Sequence, residues 1–143
     1  MLIGISPLIN PDLLSSLCRM GHGDEIVLAD AHFPGESLNS NIIRADGLKI
    51  PNLLDGILPL IPPDTYVDCP LIMMAAAEGD TLDPKVEEAY MAKIRKHWSA
   101  YNKIDYIERF AFYERTKSAF AVVMTGETAK YGNIILKKGV ISV

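Results

Sequence analysis

Gly21-His22-Gly23-Asp24-Glu25-Ile26-Val27-Leu28-Ala29-Asp30-Ala31-His32-Phe33-Pro34 is the stretch on which the fold turns. It sets two histidines, three acidic residues and two glycines around one short apolar run. Ile26 to Ala29 is continuously apolar, as a strand buried on both faces would be. Gly-His-Gly precedes that run and Asp-Ala-His-Phe-Pro follows it. Titratable groups at both ends of a core element point to chemistry and not to scaffold alone.

Upstream, Asn10-Pro11-Asp12 predicts a helix start, with a capping Asn and Pro at the first helical position. Leu13, Leu14, Leu17 and Met20 recur at helical spacing, and Gly21 stands where a left-handed cap would close the helix. The spacing places Cys18 on a core face. Downstream, Glu36 to Asn41 reads as a polar turn and Ile42-Ile43-Arg44 as a short strand. Leu53 to Ile61 reads as an amphipathic helix limited by Pro59 and Pro62-Pro63. Tyr66 to Ala77 holds a second apolar strand. Asp83-Pro84 opens a helix with Val86, Tyr90, Ile94 and Trp98 on one stripe. Asp105 to Phe110 is expected as a strand, Phe112 to Ser118 as a helical turn, and Ala119 to Met124 and Asn133 to Leu136 as the last strands.

Helices alternating with apolar strands predict an α/β fold, three-layer α/β/α, with a largely parallel (mixed) sheet in a single domain over residues 1–143. Three strands run into similar ends, Asp30-Ala31-His32, Glu78-Gly79-Asp80 and Gly126-Glu127. Ligands of open α/β sheets lie beyond the carboxyl ends of strands. A rim of this composition suits a neutral polyol better than a phosphate, and no Gly-rich phosphate-binding pattern occurs.

The 143 residues are 49% apolar and 22% charged, a globular composition. A net charge of −4 offers no basic footprint for nucleic acid. The run Leu71 to Ala77 is too short to span a bilayer. Met1 to Ile5 is too short for the apolar part of a signal peptide. Two cysteines, Cys18 and Cys69, are too few for a disulfide framework. A cytoplasmic protein with two free thiols is expected.

His22 is a candidate general acid/base, since imidazole titrates near neutrality; the alternative is a loop histidine that caps the preceding helix. Asp30 could bind hydroxyls or cap the next turn. An extended chain between them holds the two about 20 Å or more apart, at roughly 3.3 Å per residue, so one subunit cannot join them without a fold-back. Arg109 and Tyr113 could present donors to hydroxyls or pair with Glu108 or Glu114; Phe110 and Phe112 are expected in the core. Asn133 is either a turn residue or a reader of hydroxyls, because Asn is a poor strand former. The chain has one further histidine, His97, on a charged helix, so no metal site is expected.

Taken together, Gly21 to Glu25, Asp30 to Pro34, Ile43-Arg44-Ala45-Asp46-Gly47, Glu78-Gly79-Asp80, Arg109 to Arg115, Gly126-Glu127 and Tyr131-Gly132-Asn133-Ile134 resemble the sugar mutarotase family of ribose pyranase and fucose mutarotase (RbsD/FucU). The likeness covers essentially the whole chain and is stronger to the fucose branch, which has the Asp-Ala-His-Phe-Pro and Tyr-Gly-Asn forms. The resemblance implies that His22 is the proton donor and that Asp30, Arg109, Tyr131, Gly132 and Asn133 contact the sugar; Tyr113 is added as a further contact. It implies interconversion of α and β anomers of L-fucose, without a cofactor. It also implies a homodecamer whose sites lie between subunits. The rival reading is a non-catalytic monosaccharide-binding or sensing protein.

Overall fold

A computed structural model describes residues 1–142; Val143 lies outside the described residues. The elements in chain order are α1 (Pro11–Arg19), β1 (Glu25–Ala29), α2 (Gly35–Leu38), β2 (Ile42–Ala45), α3 (Ile50–Ile57), β3 (Leu71–Met74), α4 (Pro84–His97), β4 (Asp105–Ile107), α5 (Arg109–Ser118), β5 (Ala121–Thr125) and β6 (Ile134–Lys137). They build a six-stranded sheet in the order β2-β5-β1-β6-β3-β4. Strand β6 runs antiparallel to β1 and β3, and every other pairing is parallel. The largely parallel, mixed sheet expected from the sequence is therefore present, and helices cover both faces.

Alternation along the strands divides the core. Ile26, Leu28, Ile43, Leu71, Met73, Val123, Ile134 and Leu136 pack with α1, α3 and α4 on one face. Val27, Ala29, Ile72, Met74, Val122, Met124 and Ile135 pack with Phe33 and Phe112 on the other. Each such buried aliphatic side chain contributes about 1.5–3 kcal/mol of hydrophobic stabilisation. Strand β1 is buried on both faces, and its central residues Ile26 to Ala29 are all fully covered. Among the described residues no helix is long and apolar enough to cross a membrane.

Several local expectations change. Gly21 is not left-handed; Met20 ends α1 in an extended conformation, and Gly23 takes the positive φ of 83° instead. Asn10 caps α1 as expected, accepting from the Leu13 amide at 2.9 Å. Cys18 is exposed, because α1 turns Leu13, Ser16 and Leu17 inward. The turn after Pro34 contains the one-turn helix α2. The strand predicted over Asp105 to Phe110 stops at Ile107, since the Glu108 side chain accepts from the Phe110 and Ala111 amides and starts α5 there. Phe110 consequently lies on the solvent side of α5, 59% exposed, whereas Phe112 is fully buried.

Close backbone contact also shapes the rim at the carboxyl end of the sheet. Gly126 donates its amide to the Leu48 carbonyl at 2.8 Å. A Cβ on Gly126 would stand 2.1 Å from the Asp46 carbonyl oxygen. Only glycine lets the chain leaving β5 pass the chain leaving β2 this closely.

Candidate active site

The carboxyl ends of β1, β3 and β5 meet on one side of the sheet, as parallel strands must. Asp30, Arg109, Tyr113, Tyr131 and Asn133 converge there on a cleft of about 200 Å³, with His32 and Lys130 at its margin. Five of the residues singled out in the sequence thus share one concave surface. A larger groove of about 490 Å³, between Met1 and Leu14, is lined without any titratable side chain. A further groove of about 530 Å³ does carry titratable side chains, among them Glu25, Asp68, Asp105 and Arg115, so the smaller cleft is singled out by the five residues that converge on it and not by size.

The cleft is held from β1 and β6. The backbone amide of Asp30 donates to Asn133 Oδ1 at 2.7 Å, and Asn133 is buried. Asp30 Oδ1 in turn accepts from the His32 amide at 2.9 Å. Asp30 thus caps the next turn, and it also lines the cleft. Burial pushes its carboxyl above the usual carboxylate range, opposed by the His32 amide and by Asn133.

Tyr131 is the only non-glycine residue with positive φ among the described residues, at 58°. Such a conformation persists where the surroundings over-determine it. Its hydroxyl accepts from the Ala77 amide at 3.2 Å and donates to Asp80 Oδ2 at 2.8 Å. Lys130 Nζ meets the same oxygen at 2.5 Å. Lys130 and Tyr131 together pull the Asp80 carboxyl down to about 2. Gly132 contributes shape: a Cβ there would lie 2.8 Å from the Ala129 carbonyl oxygen and 2.9 Å from Tyr90 Oη. Tyr90 Oη donates to the Gly132 carbonyl at 2.7 Å and braces the segment from below. Burial, with Glu127 and Asp30 nearby, drives the Tyr90 hydroxyl far above its usual range.

Helix α5 supplies the remaining wall. The Arg109 guanidinium lies 4.6 Å from the Phe110 ring centre and 6.0 Å from that of Tyr113. It stacks on aromatic rings and does not pair with Glu108. Tyr113 packs edge-on against Phe33, with ring centres 5.6 Å apart. The rim is also less uniformly acidic than its sequence suggested, because Arg109 and Lys130 join it. Glu127 turns inward, its Oε1 accepting from the Thr128 and Ala129 amides.

His22 does not join this cleft. It stands before the amino end of β1, and five extended residues hold the two ends of that strand about 17 Å apart. His22 Nε2 lies 3.0 Å from Asp64 Oδ1, and its ring packs against Tyr66 with centres 4.9 Å apart. Asp64 is buried, and its Oδ1 also accepts from the Tyr66 amide at 3.0 Å. That amide and His22 hold its carboxyl below the usual range. Sequence reading passed over Asp64 and Lys130, which carry no local signal; their roles arise from contacts 42 and 50 positions away. No group of three or more His, Cys, Asp or Glu residues suited to a metal occurs among the described residues.

Comparison with known proteins gives the family of the chain. The L-fucose mutarotase of Actinobacillus pleuropneumoniae serotype 5b is 59% identical over 140 residues, covering 98% of this chain and 97% of that protein. The crystal structure of the fucose mutarotase of Streptococcus pneumoniae in complex with L-fucose is 49% identical, with a TM-score of 0.92 over 99% of this chain and 100% of that one. Bacillus subtilis RbsD complexed with D-ribose is 26% identical, with a TM-score of 0.70 over 99% and 100% of the two chains. With a family profile matching from residue 3 to residue 141, this chain belongs to the RbsD / FucU transport protein family.

Proposed function

We propose that this protein is an L-fucose mutarotase, an isomerase that interconverts the α and β anomers of the sugar. The observation that carries this reading is the near full-length identity of 59% to an L-fucose mutarotase. The higher identity and TM-score to the fucose complex than to the ribose complex favour L-fucose over D-ribose.

In the proposed reaction His22 donates a proton to the ring oxygen as an acceptor takes the proton of the anomeric hydroxyl. The C1–O5 bond breaks and a free aldehyde forms. Rotation about C1–C2 presents either face, and closure returns the proton to His22. Asp30, Arg109, Tyr113, Tyr131 and Asn133 orient the hydroxyls, and Gly132 keeps the backbone clear of them. These steps move protons only, so they call for no metal or redox cofactor. His22 and the cleft meet across a subunit boundary in a homodecamer, each site taking His22 from one copy and Asp30 from its neighbour. The separation of the two along β1 supports that arrangement. Two free thiols, one exposed, support a reducing, cytoplasmic setting.

Saturation-transfer NMR between anomers tests the activity on L-fucose, D-ribose and D-galactose. Enhanced exchange is expected, greatest for L-fucose. If no sugar exchanges faster than in buffer, the mutarotase reading fails, and L-fucose binding retained without exchange identifies a sugar binder. His22→Ala is expected to lower the rate by roughly 10²–10⁴, the usual contribution of a positioned acid/base group, with L-fucose affinity retained.

A further inference from the structure

We propose that Asp64 is the positioning residue for His22, fixing which ring nitrogen faces the sugar; this rests on the mutarotase reading above. Asp64 Oδ1 lies 3.0 Å from His22 Nε2. Asp64 is 2% exposed, whereas 42% of the His22 side chain remains open to solvent. A buried carboxylate therefore grips one nitrogen of a ring whose other edge is free. Among the described residues no hydrogen bond is made to His22 Nδ1.

The ionised carboxylate only accepts, so His22 Nε2 carries the hydrogen between them. Nδ1 is then the nitrogen that exchanges a proton with substrate. The carboxylate is itself anchored. Asp64 accepts from the Tyr66 amide through Oδ1, and its own amide donates to the Lys137 carbonyl at 3.1 Å, at the end of β6. Pro62 and Pro63 stiffen the approach to it, and the Gly139 amide binds the Pro62 carbonyl at 2.9 Å. A Cβ on Gly139 would stand 2.1 Å from the Pro63 carbonyl oxygen, so this strap lies tight against the end of the sheet. Tyr66, 76% exposed, closes one side of the imidazole and limits its rotation.

Other ionisable groups near the pair act at a distance or are bonded elsewhere. Lys137 and Tyr101 interact with Asp64 electrostatically. Asp24 is engaged with the Gly21 amide at 2.7 Å. Lys138 Nζ donates to the Leu17 and Met20 carbonyls. Asp64 is the group that bonds the ring directly.

Asp64→Asn keeps an acceptor oxygen and removes the charge. Anomer exchange of L-fucose is measured against pH for the wild type, His22→Ala and Asp64→Asn, with L-fucose affinity and far-ultraviolet circular dichroism alongside. The mutarotase reading stands or falls on the first two proteins. Given an active wild type and a crippled His22→Ala, Asp64→Asn is expected to slow exchange by about 10- to 100-fold, less than full loss of the acid. Its affinity for L-fucose should stay, and the limb of its pH profile that reports the protonated donor should move to lower pH, since a neutral amide no longer balances the imidazolium. A folded Asp64→Asn protein with wild-type rate and profile overturns the proposal. Should the variant not fold, the ¹⁵N shifts of His22 in the wild-type protein decide. A neutral ring protonated at Nε2 supports the assignment, and one protonated at Nδ1 overturns it.

Discussion

Asp30 serves the cleft and the fold at once, and the two roles oppose each other. Its oxygen caps the turn through the His32 amide, which favours the charged form, but burial disfavours that form more strongly. The folded-state pKa lies above the unfolded one, so the folded protein holds this proton more tightly. Stability from the group is complete below the ordinary carboxylate value and is lost as the pH rises through the raised value. The melting temperature of the wild type should therefore fall relative to that of Asp30→Asn as the pH rises from the ordinary carboxylate value through the raised one, a comparison that calorimetry makes directly. A wild type that gains on the variant over that interval contradicts the assignment. Tyr131 offers a second reading at this scale. Tyr131→Phe removes two hydrogen bonds, to Asp80 and from Ala77, and should lower stability by about 1 kcal/mol in urea unfolding, with a weaker affinity for L-fucose.

Helix α5 is the element that turns core packing into site geometry. It carries Arg109 and Tyr113 on the cleft side and Phe112 on the sheet side. The Phe112 ring is fully buried and meets Phe33 edge-on at 5.8 Å. Phe112→Ala should cost about 3–5 kcal/mol in chemical denaturation and should loosen sugar binding through Arg109, which the residue itself does not touch. The loops at the rim give a parallel case. Gly126→Ala sets a methyl group against the Asp46 carbonyl, backbone that has little freedom to retreat. A loss of about 1–3 kcal/mol is expected in the same assay, with exchange lowered because Glu127 and Thr125 shift with the loop.

At the scale of the molecule, the sheet is what separates His22 from Asp30. Strand β6 ties both ends together, Asn133 just before its start reaching Asp30 and Lys137 at its end reaching Asp64. A rigid six-stranded sheet does not fold back on itself, so the proposed site needs a neighbouring copy. Ten copies of a 15.8 kDa chain would scatter light as a particle of about 158 kDa. Subunit mixing is the sharper experiment. His22→Ala and Asp30→Ala proteins should each lose most of their activity. Co-refolded in equal amounts, they should regain activity at about one interface in four, where a wild-type half meets a wild-type half. No recovery in verified mixed oligomers would mean that each site is complete within one chain.

Local pattern alone determined much of this protein. Continuous apolar runs are legible because a strand covered on both faces has no polar side, and β1 adds only Glu25 to its run Ile26 to Ala29. Asn10-Pro11 and Asp83-Pro84 mark helix starts because their side chains satisfy free amides, whatever the tertiary context. The grouping of Asp30, Arg109, Tyr131 and Asn133 was legible through the family resemblance. Tertiary structure decided the rest. Phe110 and Phe112 look alike in sequence, and only the start of α5 at Glu108 sends one to solvent and the other inward. Gly21 reads as the left-handed cap of α1, and only the structure shows that Met20 ends the helix extended and that the positive φ falls at Gly23, on the approach to β1. Asp64 carries no signal at all, because its partner lies 42 positions away and meets it through the pairing of β6 with β1. Contacts made at long range come from topology, and no window of neighbouring residues contains them.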